Sequence, residues 1–326
     1  MSVDFLGKLN LLGESAAFRR IFELIKRFAA CEATVLLQGE TGTGKEVAAR
    51  AIHFLGSRRD RPFIPVNCGA LPDNLLEAEL FGHERGAFTD ARESRAGMVC
   101  EADGGTLFLD EIEAMTPKAQ VVFLRYLQDG TYRPLGGRFA RSKDVRVMAA
   151  SNVDLEQLVS RNAFRSDLLY RLKVLTLWMP PLREREGDIL MLAEAFLRRF
   201  AQQHRRPERR LHPGTREWLP RYHWPGNVRE LENLMLREFL LCDGDSIDIE
   251  PPAELRGPAA RRTPLDKGFR VAKAQAVAEF ERTYIKDLLA ASKGNLSLAA
   301  RLSCKDRSTL VRLVKKHGIE AAHFKA

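Results

Sequence analysis

Cysteine is scarce in this chain of 326 residues, and its five cysteines are scattered, with no Cys-x-x-Cys pair and no histidine at ligand spacing. Such a pattern indicates neither a disulfide framework nor a zinc site. The chain also lacks a run of the roughly 18 apolar residues that span a bilayer, and it does not open with a basic segment followed by an apolar one. We therefore expect a cytoplasmic protein with no membrane partner.

Acidic residues are scarce near the C-terminus. Residues 261–326 contain 15 of the 52 lysines and arginines but only 6 of the 43 aspartates and glutamates, so the whole net charge of +9 arises there. Solubility alone does not require charge to be concentrated in this way, whereas a module that binds a polyanion does. The composition thus predicts that the C-terminal region binds nucleic acid.

A glycine-rich run lies between apolar residues 35–37 and helix-prone residues 46–50, and it reads Gly39-Glu40-Thr41-Gly42-Thr43-Gly44-Lys45. Glycines let consecutive backbone N–H groups face one anion, the helix start adds partial positive charge, and the lysine can reach terminal phosphates. A plain glycine turn is the alternative, and the flanking patterns disfavour it. We predict a phosphate-binding loop. Glu46 stands where such loops usually have a Mg²⁺-binding Ser or Thr, so another acid must bind the metal.

That acid is predicted at the end of an apolar run, residues 104–109, which is followed by Asp110-Glu111. A buried parallel strand is apolar throughout and presents ligands at its carboxyl end. Asp110 would bind Mg²⁺, directly or through water, and Glu111 would polarise the water that attacks the γ-phosphate. A helix N-cap with an acidic first turn is the alternative interpretation.

Hydrophobic patterns divide the chain into four parts. In residues 1–180, amphipathic helical stretches alternate with strand candidates at 35–38, 63–67, 106–110, 145–150 and 174–179, which predicts a mostly parallel α/β sheet. Strand patterns stop after residue 181, and helical spacing at 189–200, 213–221 and 228–242 predicts a smaller helical unit over 181–250. Proline-rich residues 251–268 predict a linker, and 269–326 an all-α domain.

The C-terminal domain contains two short predicted helices, 297–302 and 307–316. In the second helix Leu310, Leu313 and Val314 share one face, and a basic or polar set occupies the other. An apolar face against a partner helix and a basic face towards DNA are typical of a recognition helix. We therefore predict DNA contacts by Arg307, Thr309, Arg312 and Lys316. A solvated charged face is the alternative.

Together these elements resemble the bacterial enhancer-binding activators of sigma-54 RNA polymerase, and the resemblance extends from Leu12-Gly13-Glu14-Ser15 to His317-Gly318-Ile319. Members of this family also have a glutamate directly after the loop lysine, the position of Glu46 in this chain. The resemblance implies an AAA+ P-loop NTPase fold, with a parallel sheet covered by helices on both faces and a helical lid subdomain. It also implies a Fis-type helix-turn-helix domain, here residues 280–319, and ATP and Mg²⁺ as cofactors.

The resemblance also implies roles for single residues. Asn67 resembles the switch residue that holds Glu111 away from the attacking water until the partner is engaged. Ser151 and Asn152 resemble the first sensor, with serine where threonine is commoner. The remaining matches are the second sensor, Arg229, and two fingers that enter a neighbour's ATP site, Arg165 and Arg171. Surface salt bridges are the alternative interpretation of these arginines.

Residues 81–91 are similar to the surface loop by which these activators grip the sigma factor, and the implied contact residues are Gly86, Ala87, Phe88 and Thr89. Asp90 departs from the glycine that the family usually has there. A further departure is that the chain begins at the ATPase domain, so we expect no N-terminal regulatory domain. Control would then come from expression, a removed segment or a regulatory protein acting in trans.

We therefore expect an ATPase that self-assembles, from dimer to hexameric ring, binds an upstream activator site in DNA and remodels the closed complex of sigma-54 RNA polymerase. The alternative is a DNA-binding regulator that works without sigma-54 and uses ATP to control assembly. Asp90 is the feature that keeps this alternative open.

Overall fold

The computed structural model describes residues 11–70, 73–88, 91–252, 254–255, 273, 277–278, 281–282, 284–286, 288–290, 292, 294–303, 305–317 and 319. Thr89, Asp90 and most of the predicted linker lie outside this set. The chain divides into two compact units, residues 1–255 and 256–326. The finer boundaries at 180, 250 and 268 stay predictions.

The first part of the first unit contains a five-stranded parallel sheet. Its elements are α1 (Ala16–Ala29), β1 (Val35–Gln38), α2 (Lys45–Leu55), β2 (Phe63–Asn67), α3 (Asp73–Phe81), α4 (Met98–Glu101), β3 (Thr106–Asp110), α5 (Pro117–Asp129), β4 (Thr131–Tyr132), β5 (Arg141–Ser142), β6 (Arg146–Ser151), α6 (Leu155–Ser160), α7 (Ser166–Leu172) and β7 (Leu175–Trp178). The strand order is β2-β3-β6-β1-β7, with every neighbouring pair parallel. The predicted α/β class is confirmed.

Alternate residues of the central strands face two hydrophobic cores. Leu36 packs with the core beneath α3 to α7, whereas Val35 and Leu37 pack with the core beneath α1 and α2. All four residues of β1 are buried, and burial on both faces explains why the strand is a continuous apolar run. Helices therefore cover both faces of the sheet.

The strand register gathers polar side chains at one edge. Asn67 pairs with Asp110 at the ends of β2 and β3, and Gln38 pairs with Ser151 at the ends of β1 and β6. The carboxyl ends of parallel strands form the usual ligand-binding edge of such a sheet. The phosphate loop follows β1 at this edge.

The second part of the first unit is mainly helical and is called the lid below. It comprises α8 (Asp188–His204), β8 (Arg210–Leu211), α9 (Pro213–Trp218), α10 (Asn227–Leu241) and β9 (Ser246–Ile247), with 3₁₀ turns at Leu182–Glu184 and Leu219–Arg221. The prediction that strands stop after residue 181 is wrong in one detail, since β8 and β9 pair in parallel. Each has only two residues, too few to produce a strand pattern in the sequence. The lid has its own core, which includes Trp218 and Trp224.

In the second unit, two helices, α11 (Leu296–Leu302) and α12 (Arg307–Lys316), are described completely. Ala299, Ala300, Leu310 and Val314 are buried in a common core with Ile285, Leu288 and Leu289. Asn295 caps α11 and Asp306 caps α12 through their side chains. The Asp306 cap lies in the short connection between the two helices and fixes the start of α12.

Candidate nucleotide-binding site

The loop after β1 depends on glycine at several positions. Gly39, Gly42 and Gly44 have φ values of +146°, +78° and +96°, which side chains with a Cβ rarely adopt. A Cβ on Gly39 would also lie 2.6 Å from the carbonyl oxygen of Met179. The loop ends in the first turn of α2, where backbone N–H groups lack partners within the helix. This backbone is suited to bind an anion.

Lys45 is the buried cation of the loop, with only 6% of its surface exposed. Its Nζ donates to the carbonyl oxygens of Gly39, at 2.7 Å, and Glu40, at 3.1 Å, and also to Oδ1 of Asn152. Burial lowers the pKa of Lys45, and the carboxylate of Asp110 opposes this shift. A phosphate would supply the negative charge that is missing among the direct hydrogen-bond partners of this buried ammonium.

Two acids follow β3. Asp110 accepts a hydrogen bond from the Glu111 N–H at 3.0 Å, and burial raises the pKa of Asp110 despite that bond and the charge of Lys45. Glu111 has φ +54°, an unusual conformation for a residue with a side chain. Strained conformations of this kind are concentrated at functional sites.

Asn67 and Glu111 do not share a hydrogen bond among the described residues. Oδ1 of Asn67 instead accepts from the N–H groups of Gly69, at 2.8 Å, and Ala70, at 3.0 Å. Oε2 of Glu111 lies against the same Gly69, at the place where a Cβ would stand. The structure thus brings both side chains to one glycine but does not pair them.

The two sensor-like residues, at the end of β6 and directly after it, make different contacts. Ser151 is buried and its hydroxyl donates to the carbonyl oxygen of Val153 at 2.8 Å. Asn152 reaches Lys45, and its backbone N–H donates to Oε1 of Glu113 at 3.0 Å. The other oxygen of Glu113 is buried without a hydrogen-bond partner among the described residues. Sequence reasoning had treated Glu113 only as part of an acidic turn, and no spacing rule would have selected it.

Three further loop residues have contacts that do not involve Lys45. Glu46 accepts from Nη2 of Arg50 at 2.7 Å, one helical turn later. Thr43 donates to the Glu40 carbonyl oxygen at 2.8 Å. The Glu40 carboxylate contacts Arg183 and Asn227 of the lid, two residues that sequence reasoning missed. Asn227 stands two positions before Arg229, the predicted second sensor, and this proximity is the signal that could have indicated it.

The three predicted arginines lie on the surface. Arg165 forms an ion pair with Asp167 at 2.6 Å, and Arg171 lies in the last turn of α7. Both are exposed, as an arginine must be to enter another subunit. Arg229 is also exposed, and its positive charge helps to lower the pKa of Lys45. Arg229 is thus the predicted arginine that belongs electrostatically to this site.

The predicted sigma-contacting loop is closed at its base by hydrogen bonds between His83 and Arg95 in both directions, at 3.0 and 2.9 Å. Gly86 has φ +82°, and the Phe88 ring lies 5.0 Å from the His83 ring. Glu84 forms an ion pair with Arg141 at 2.7 Å, which joins this loop to the hairpin of β4 and β5. Phe88 is therefore packed on its own loop.

In the second unit, Arg307 and Arg312 are exposed, Thr309 is half-buried, and neither arginine forms an ion pair with the described residues. Lys316 differs, because its Nζ donates to Oε2 of Glu281 at 2.8 Å. His317 contacts the same carboxylate, and the hydrogen bonds from Lys316 and His317 lower the pKa of Glu281. The charge of Lys316 is thus partly neutralised, unlike that of Arg312.

Two other kinds of site are absent from the described residues. They contain no helix that is long and apolar enough to cross a membrane. They also contain no cluster of three or more His, Cys, Asp or Glu side chains that could bind a metal ion without other ligands.

Comparison with known proteins agrees with this geometry. Two family models match: the sigma-54 interaction domain over residues 11–178 and the AAA+ ATPase lid domain over residues 183–265. The chain is 42% identical over 310 residues to the alginate biosynthesis transcriptional regulatory protein AlgB of Pseudomonas aeruginosa, covering 95% of this chain and 68% of AlgB. It is also 42% identical over 305 residues to the transcriptional regulatory protein ZraR of Salmonella typhimurium, covering 93% and 68%. NtrX from Brucella abortus, solved in complex with ATP, is similar with a TM-score of 0.70 and 32% identity, covering 95% of this chain and 70% of that one.

Proposed function

This chain belongs to the sigma-54-dependent transcriptional activators with an AAA+ ATPase domain, and we propose that it hydrolyses ATP in a self-assembled ring to remodel the closed complex of sigma-54 RNA polymerase. The observation that carries the proposal is the arrangement around Lys45. A glycine loop, the strand-end acids Asp110 and Glu111, and Asn152 meet at one edge of the sheet. These groups suit phosphoryl transfer to water.

Lys45 and the loop N–H groups would bind the β- and γ-phosphates of ATP. The three acceptors that now surround Nζ hold it next to the loop, and exchange of one acceptor for a phosphate oxygen needs only a small movement of the side chain. ATP is also the ligand in the similar NtrX structure. Glu111 would accept a proton from the attacking water, as a general base does.

The residues present also fit Mg²⁺. Asp110 lies at the strand end next to Lys45, and burial raises the pKa of Asp110. A neighbouring cation would oppose this shift, because it stabilises the charged carboxylate. Mg²⁺ is commonly bound by one or two carboxylates together with substrate phosphates, so this assignment does not require a three-residue cluster, and the described part of the chain contains none. When bound, the ion neutralises charge on the β- and γ-phosphates. Glu46 is paired with Arg50, which favours Asp110 as the protein ligand.

Arg165 and Arg171 would complete the ATP site of a neighbouring subunit, and their exposure on and just before α7 supports this role. The proposed assembly is a ring that grows from dimers to a hexamer. Ser151 would position the loop that carries Asn152, and Asn67 would bond Glu111 in one state of the hydrolysis cycle. The proximity of both side chains to Gly69 supports this proposal.

DNA binding is assigned to the second unit. Arg307, Thr309 and Arg312 would contact DNA from α12, and Arg307 and Arg312, which are exposed and form no ion pair with the described residues, are the leading candidates for base contacts. Lys316 would contribute less, because Glu281 already neutralises part of its charge. The proposed DNA target is an upstream activator site.

Gly86, Ala87, Phe88 and Thr89 would grip sigma-54. In a purified transcription system with sigma-54 polymerase, ATP and the activator, we expect open-complex formation that requires ATP hydrolysis. Phe88→Ala should abolish it while basal ATP hydrolysis and DNA binding persist, because the loop lies outside both sites. Asp90→Gly should raise it. If Phe88→Ala left activation intact, or if the chain activated only polymerase without sigma-54, the remodelling function would be wrong.

A further inference from the structure

The carboxylate of Glu40 contacts the lid, although its backbone belongs to the phosphate loop. Arg183 donates from Nη2 to Oε1 at 2.6 Å and from Nη1 to Oε2 at 2.9 Å. This is the bidentate geometry that makes arginine–carboxylate pairs directional. Both side chains are about two-fifths exposed, at 41% for Glu40 and 40% for Arg183. Such a pair contributes little to global stability, so a role in positioning is the better explanation of its geometry.

Asn227 makes a second connection and is completely buried. Its Nδ2 donates to Oε2 of Glu40 at 3.1 Å and to the carbonyl oxygen of Thr41 at 3.0 Å. Its Oδ1 accepts from the N–H of Leu182 at 2.7 Å. The backbone of Asn227 has φ +51°, a conformation that asparagine tolerates better than most residues. One buried amide thus joins the phosphate loop, the 3₁₀ turn after β7 and the start of α10.

The backbones of the loop and α10 also touch. The N–H of Val228 donates to the carbonyl oxygen of Gly42 at 3.0 Å. A Cβ on Gly42 would collide with the carbonyl oxygen of Gly226, so this approach requires glycine. Arg229 is the next residue after Val228 in the first turn of α10, and its charge acts on Lys45. The connection therefore lies between the phosphate loop and Arg229, the residue predicted to be the second sensor.

We propose that Glu40, Arg183 and Asn227 form a clasp that holds the lid on the phosphate loop and thereby aims Arg229 at the bound phosphates. The proposal rests on the proposed ATPase function. The three residues are positioning residues, since they act through Arg229. The hydrogen bonds from Arg183 and Asn227 lower the pKa of Glu40 to about 2, so the clasp keeps its charge throughout the pH range in which the protein would be assayed.

The test is a double-mutant cycle between Glu40→Gln and Arg229→Ala, read out by the affinity for mant-ATP and by KM and kcat for ATP. Glu40→Gln alone should weaken mant-ATP binding at least about twofold, the lower end of coupling between contacting residues. In the Arg229→Ala background it should have almost no further effect. Arg183→Gln should behave as Glu40→Gln does, and Arg183→Lys should fall between Arg183→Gln and the parent, because one ammonium cannot reproduce the bidentate contact.

The matched control is Glu194→Gln, which removes an ion pair with Arg216 that lies wholly within the lid and has similar exposure. It should leave both nucleotide readouts unchanged, and its thermal midpoint should match that of Glu40→Gln. Additive losses for Glu40→Gln and Arg229→Ala, or equal losses in Glu194→Gln, would overturn the clasp. If the parent chain bound mant-ATP but did not hydrolyse ATP, the proposed function would fail, and the binding cycle would still decide the clasp.

Discussion

The buried carboxylate of Asp188 joins the lid to the N-terminal segment, and we predict that its removal strongly destabilises the first unit. It is 0% exposed and accepts hydrogen bonds from the Glu14 N–H at 2.6 Å, the Ser15 N–H at 2.8 Å and the Ser15 hydroxyl at 2.9 Å. It also accepts from Nε of Arg185 at 2.9 Å. Asp188→Ala would leave a buried guanidinium and buried N–H groups without these partners.

The expected magnitude follows from that geometry. Removing one partner of a buried ion pair costs about 3–5 kcal/mol, because the other charge remains buried. The free energy of unfolding of such a unit is about 5–15 kcal/mol, so this loss is a large fraction of it. At about 2–4 °C per kcal/mol for a unit of this size, the thermal midpoint should fall by roughly 6–20 °C.

Urea and thermal unfolding can be followed by the fluorescence of Trp218 and Trp224, which are buried and stacked in the lid core. Asp188→Asn keeps an acceptor but loses the charge, and it should cost less than the alanine variant. The control Glu194→Gln should cost under about 1 kcal/mol, as exposed pairs do. A cost for Asp188→Ala as small as that of the control would refute the argument that this network fastens the lid.

Three further predictions concern function. Lys45→Ala should weaken mant-ATP binding by about 10- to 100-fold, which is the value of hydrogen bonds to charged groups. Glu111→Ala should keep mant-ATP binding but lower ATP turnover by about 10²- to 10⁴-fold. Unchanged turnover in Glu111→Ala would show that Glu111 is not the base. If Arg312 contacts a phosphate, Arg312→Ala should reduce the slope of log K for DNA against log salt by about 0.9. If Arg312 contacts a base, the variant should show weaker sequence preference. A variant with the parental slope and preference would exclude Arg312 from the interface. Arg171→Ala should lower ATP turnover about 10³-fold, as loss of an arginine finger does. Mixing it with Lys45→Ala subunits should partly restore activity, because the intact phosphate loop of one subunit can then face the intact arginine of the other. Absence of rescue would contradict a site shared between subunits.

Local sequence patterns were sufficient for the sheet and the phosphate loop. β1, β2 and β3 begin and end at the predicted residues. For β1 and β3 the reason is burial along almost the whole strand, which requires a continuous apolar run. The glycines of the loop were readable for a similar reason, since positive φ values and a close approach to Met179 leave few other residues possible. The pair Asp110-Glu111 followed from its place at the end of such a strand.

Contacts between distant residues were decided only by the tertiary structure. Glu40 and Arg183 are separated by 143 positions, and Asp188 and Ser15 by 173, and nothing in the local pattern of either residue records its partner. Lys316 and Arg312 look alike as basic residues on one helix face, yet among the described residues Lys316 meets the carboxylate of Glu281 and Arg312 meets none. Side-chain pairing of this kind depends on how whole elements pack. The sequence alone therefore determined the main sheet and the polar residues at its edge, because both depend on local patterns. The fold determined which charged side chains pair with one another, because that depends on residues far apart in the chain.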